Sequence, residues 1–69
     1  TFADAILKLR SEGGLSQAQL AKELGVSYTS VNRWENGRSL PTKMMLLVIR
    51  RYCEEHHLEF SCEELGRLS

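Results

Sequence analysis

Residues 15–37 read LSQAQLAKELGVSYTSVNRWENG, a string that encodes two short helices with almost nothing between them. Ser16 and Gln19 form an S-x-x-Q capping box, with Leu15 and Leu20 at the two positions of a hydrophobic staple, so a helix starts at Ser16. Leu20, Ala21 and Leu24 fall on its inward side. Gly25 stops it, because the residue after a helix commonly turns left-handed and glycine does so without steric cost. Val26 and Ser27 alone separate this stop from the next helix, Tyr28 to about Asn36, which Ser27 caps.

A connection that short forbids an antiparallel pair. The two helices must cross steeply, and Ala21 is small enough to permit the approach, which is the geometry of a helix-turn-helix. Upstream, a first helix runs from about Phe2 to Arg10, with Phe2, Ala5, Ile6 and Leu9 on one stripe, Thr1 and Asp4 at its start and Gly13-Gly14 at its end. Downstream, Pro41 breaks the chain and Thr42 caps the longest helix, to roughly His57. Met45, Leu46, Val48, Ile49, Tyr52 and Cys53 give it a wide apolar face, so it is expected to be the central buried helix. Ser61 and Glu64 repeat the capping box, with Phe60 and Leu65 as a second staple, and a short fifth helix should carry Leu65 and Leu68. No segment shows sustained period-2 alternation. The expectation is a single all-α domain of five helices over residues 1–69.

The third helix has two unlike sides. At about 100° per residue, Tyr28, Thr29, Asn32, Arg33 and Asn36 share one arc, whereas Val31 and Trp34 lie across from it. A face that needed only water would favour Glu, Lys, Gln or Ala, which are better helix formers. Short amides, hydroxyls and a guanidinium are the groups that read base edges and grip phosphates. The arc also lacks an acid, Glu35 lying at its border, as suits a surface that meets a phosphate backbone.

Bulk properties narrow the alternatives. Sixty-nine residues sit near the lower limit for a core that holds without staples. The formal net charge is zero, yet residues 1–52 carry eight Lys or Arg against four acids and residues 53–69 carry five Glu against one Arg, a basic body with an acidic end. The longest apolar run, MMLLVI at residues 44–49, is far short of the roughly 20 residues of a membrane span. No signal peptide or lipidation motif is visible, so a cytoplasmic location is expected, although a chain beginning at Thr1 reads as a trimmed or excised piece. The two cysteines are expected to be reduced. Cys53 with His57 is an i, i+4 pair near His56 and Cys62, and tetrahedral zinc is chemically feasible there. The spacing fits no common zinc module, however, and Cys53 lies on the apolar stripe, so no metal or cofactor is expected. Neither a nucleophile motif nor a phosphate-cradling glycine loop is present, and so small a core leaves little room for a substrate pocket. Enzymatic activity and a small-molecule substrate are therefore not expected.

The string 15–37 closely resembles the helix-turn-helix of the XRE/phage-repressor-like DNA-binding family, in Gln17, Ala21, Gly25, Val31, Trp34-Glu35 and Asn36-Gly37 with their spacing. The resemblance implies a five-helix, lambda-repressor-like domain that binds double-stranded DNA as a prokaryotic or phage transcriptional regulator. It places Tyr28 and Thr29 where side chains meet bases in the major groove, with Asn32 and Arg33 further along that face. It implies phosphate contacts from Gln17, from Asn36 and Arg38, and from Thr42 and Lys43, and an ion pair between Arg10 and Glu35. Members of the family usually act as dimers on two half-sites. Here Phe60, Leu65 and Leu68 would either supply a small contact between two copies or close the core of one. Two other readings stay open: a protein-interaction module on the same fold, and the targeting domain of a larger DNA-acting enzyme or an antitoxin.

Overall fold

All four observed helices begin in the same way. The computed structural model describes residues 1–61, in which α1 spans Phe2–Gly13, α2 Gln17–Leu24, α3 Tyr28–Glu35 and α4 Lys43–Glu55. Thr1, Ser16, Ser27 and Thr42 stand at the N-caps, and their hydroxyls accept from the backbone N–H groups of Asp4, Gln19, Ser30 and Met45 at 3.1–3.2 Å. The box at Ser16 is closed by its own N–H, which donates to Gln19 Oε1 at 2.8 Å.

The helix ends match one another too. Leu15, Val26, Arg38 and Leu58 each donate their N–H to the carbonyl five residues back, on Arg10, Ala21, Arg33 and Cys53. In each case the preceding residue has positive φ: Gly14, Gly25, Gly37 and His57. This is the Schellman hook, which satisfies carbonyls that the helix leaves over. Three of the hooks use glycine, and the fourth uses His57 at φ 56°, where a side chain costs roughly 1–2 kcal/mol.

Every helix contributes to one core. Phe2, Ile6 and Leu9 of α1 meet Leu20, Ala21 and Leu24 of α2, Val31 and Trp34 of α3, and Leu46, Ile49 and Cys53 of α4. Phe2 meets both Trp34 and Phe60 edge-on, with ring centroids 5.7 and 6.2 Å apart. Leu15, Val26 and Leu58, the apolar residues of three hooks, pack against the same cluster.

Two expectations change. Helix α1 continues a full turn past Arg10, because Gly13 is helical and Gly14 alone makes the left-handed turn. Helix α4 is less buried than its composition suggests. Only Leu46, Ile49 and Cys53 are fully covered, Val48 is exposed, and Met44 and Leu47 are 71% and 61% exposed. MMLLVI is apolar on every side, so its composition cannot show which stripe faces inward, and α1, α2 and α3 already fill the middle of the core. Among the described residues no strand occurs and no helix is long and apolar enough to cross a membrane. Ser61 is the last described residue, so its expected capping partner Glu64 and the fifth helix with Leu65 and Leu68 fall outside the described residues; Phe60 is half-buried against Phe2.

Candidate nucleic-acid interface

Helix α3 presents the two sides that its residue order requires. Val31 is fully buried and Trp34 is 5% exposed, while Tyr28, Thr29, Arg33 and Asn36 are exposed and Asn32 is half-buried. The buried pair sets the rotation of α3 about its own axis, so the amide, hydroxyl and guanidinium groups emerge together. Asn32, Arg33, Asn36 and Arg38 line one open hollow. Tyr28 and Thr29 stand at the other end of the helix and do not line it.

Behind this face runs a connected set of polar side chains. Arg10 Nε donates to Glu35 Oε2 at 2.8 Å and its Nη2 to Glu35 Oε1 at 3.0 Å, a two-point pairing, while Nη1 reaches the Leu15 carbonyl at 3.2 Å. Hydrogen bonding to Glu35 raises the guanidinium further above its ordinary range, against an opposing effect of burial. The Glu35 side chain is only 5% exposed, so its carboxylate is committed to partners within the fold. Its Oε1 accepts a further bond from Gln17 Nε2 at 2.9 Å. Gln17 Oε1 accepts from Asn32 Nδ2 at 3.3 Å, and Asn36 Nδ2 donates to the Asn32 carbonyl at 2.8 Å and to Asn32 Oδ1 at 3.2 Å. Three residues expected to touch DNA are thus joined to one another. Sequence reading anticipated the Arg10–Glu35 pair but not this extension, which depends on how α2 crosses α3.

Arg38 is exceptional among the hooks. Where the other three carry Leu15, Val26 and Leu58 against the core, this position holds an exposed cation beside the hollow. Thr42 and Lys43 are exposed at the start of α4 and do not line the hollow. Helices α2, α3 and α4 have no acid in their first turns, whereas α1 has Asp4. Acids there normally offset the positive end of the helix dipole. Leaving them out keeps those ends open to an external anion.

The residues considered for zinc are differently engaged. Cys53 is buried, and burial raises its thiol above the ordinary value of 9.0. His56 lies on the Tyr52 ring at 4.2 Å, and Cys62 is outside the described residues.

Comparison with known proteins agrees with this geometry. A family model described as "Helix-turn-helix" matches residues 6–60. The chain is 35% identical over 51 residues to a protein of Enterococcus faecalis named as an HTH-type transcriptional activator, BcrR. That match covers 74% of this chain and 25% of the relative, so the chain spans about a quarter of that relative's length. No solved structure matches significantly. With its capped α2, its glycine turn and the outward face of α3 all inside the matched span, the chain belongs to the XRE-type helix-turn-helix family of DNA-binding proteins.

Proposed function

We propose that this chain is a sequence-specific double-stranded DNA-binding domain of a prokaryotic or phage-type transcriptional regulator, with α3 as the helix that enters the major groove. The observation that carries this reading is the acid-free outer face of α3, held outward by buried Val31 and Trp34. Tyr28, Thr29, Asn32 and Arg33 test bases. Gln17, Arg38, Thr42 and Lys43 grip phosphates and set the register, with Asn36 beside them. In the free protein both hydrogen bonds of Asn36 Nδ2 go to Asn32, so Asn36 joins the phosphate clamp only by exchanging one of them. The relative's name supports a role in transcription. On this reading no catalysis takes place in the domain, and two copies occupy half-sites about one helical turn apart.

Duplex titration at several salt concentrations tests the proposal. The logarithm of affinity should fall with the logarithm of salt, by about 0.9 for each neutralised phosphate. Arg38→Ala should weaken binding to every sequence and reduce that slope by about one contact. Thr29→Ala should change which sequences are preferred. Variants that bind DNA like the parent would refute the site assignment, and salt-insensitive behaviour towards all duplexes would leave the face to a protein partner. Selection from a random duplex pool should return a two-fold symmetric consensus.

A further inference from the structure

Asn36 and Gly37 form the dipeptide from which a side-chain amide is most readily lost, because glycine leaves its backbone nitrogen unhindered. A Cβ added at Gly37 would meet no atom within 4 Å, and both residues are exposed. Arg33 and Arg38 line the same hollow as Asn36, and cations there favour an ionised backbone nitrogen. The closed fold holds the reacting atoms apart. Gly37 N–H donates to the Trp34 carbonyl at 3.1 Å, and Arg38 N–H to the Arg33 carbonyl at 2.9 Å. Asn36 Nδ2 donates to the Asn32 carbonyl and to Asn32 Oδ1, which draws the side chain back along the helix and away from Gly37.

We propose that Asn36 is a site of spontaneous deamidation, closed by the hook that ends α3 and opened whenever that hook frays. Once its bonds break, Gly37 N loses its proton to solvent and attacks Asn36 Cγ. The new C–N bond displaces Nδ2, which takes a proton from solvent and leaves as ammonia, and a five-membered imide remains. Water then opens the imide at either carbonyl, leaving aspartate or isoaspartate in place of Asn36. Neither product rebuilds the hook. A carboxylate only accepts, so it faces the two Asn32 oxygens with no proton to offer. It also puts a negative charge at the negative end of the α3 dipole, and isoaspartate lengthens the backbone by one atom before Gly37. The charge falls on a face without other acids, beside Arg38, where it repels a phosphate. That last effect rests on the DNA-binding reading above, whereas the modification itself does not.

The test ages the folded wild type without DNA, at neutral and at mildly alkaline pH, and reads its peptides by mass spectrometry. Asn32, the other asparagine of the chain, precedes Arg33 inside α3 and is the internal control. Asn36 should acquire the mass gain of NH2 replaced by OH, faster at the higher pH, while Asn32 stays intact. A synthetic peptide of residues 34–39 should react faster than the folded protein by about tenfold or more, since there no hook has to open. Aged wild type passed over immobilised duplex should leave its modified chains in the unbound fraction, a readout that needs no variant to fold. Asn36→Asp should bind duplex about tenfold more weakly than Asn36→Ala, which loses the same donor and adds no charge. If Asn36 stays intact in the folded protein while the peptide reacts, or reacts no faster than Asn32, the proposal is overturned. Equal rates in peptide and protein overturn the control by the hook. If modified chains are retained on duplex like the parent, the effect on DNA is overturned and the modification stands. If wild type binds no duplex, the functional reading falls and the modification is untouched.

Discussion

The Phe2 ring meets Trp34 edge-on, at 5.7 Å between centroids and 75° between planes, and so ties the first turn of α1 to the back of α3. Helix α3 has eight residues and buries two of them, Val31 and Trp34, leaving it few other anchors. Trp34→Ala is expected to cost about 3–5 kcal/mol, a large share of the stability of so small a domain. Trp34→Phe should cost less. Urea denaturation followed by far-UV circular dichroism is the check, since Trp34 is the sole tryptophan and its fluorescence disappears with it. DNA affinity should fall in parallel with the folded fraction.

The Arg10–Glu35 pair should be harder to break than to replace. Arg10→Ala leaves a carboxylate that is 5% exposed with Gln17 as its remaining side-chain partner. The cost is expected near 3 kcal/mol, the low end for buried pairs, because Arg10 keeps 26% of its side chain in solvent. Changing both, Arg10→Met with Glu35→Leu, should recover most of that stability. A double-mutant cycle on unfolding free energies measures the coupling.

Alkaline pH should loosen the fold in two stages. Burial, with Glu12 adding in the same direction, pushes the Cys53 thiol above 9.0, and burial, with Glu23 second, pushes the Tyr52 hydroxyl above 10.0. In both cases the folded state retains a proton that the unfolded chain releases. The resulting stability is fully present below about pH 9 and is lost as pH rises above it. Unfolding free energies measured from neutral pH to about pH 10.5 should decline, and Cys53→Ala should remove the stage that begins near pH 9 while leaving the later one.

His57 occupies a left-handed position that the other three hooks give to glycine. His57→Gly should stabilise the domain by about 0.5–1 kcal/mol, the relieved strain being partly offset by the greater freedom of glycine in the unfolded chain. A rise of a few degrees in Tm, with DNA affinity unchanged, is the expected result.

Elements whose boundaries are set by local chemistry were legible from the residues. Ser16 with Gln19, Ser27, Thr42 and the glycines after α1 and α2 mark starts and stops through bonds that span three to five residues. The rotation of α3 was equally readable, because its two large apolar residues lie on one side and its polar ones on the other. Helix α4 was not, since Met44 through Ile49 are apolar whichever way the helix turns, and only the other three helices decide that Leu46 and Ile49 face inward. The bonds from Gln17 to Glu35 and Asn32 were hidden for a related reason. They join residues 15 and 18 positions apart, and no local pattern encodes a distance across two helices.

That arrangement has a consequence for how such a domain acquires new targets. Among the described residues, the side chains of Tyr28, Thr29 and Arg33 make no hydrogen bonds to the rest of the chain, so each can be exchanged during descent at little cost to folding. Asn32 is tethered on both sides and is expected to change only together with Gln17 and Asn36. New operators should then be reached by swapping the loose positions first, while the tethered trio persists or turns over as a block.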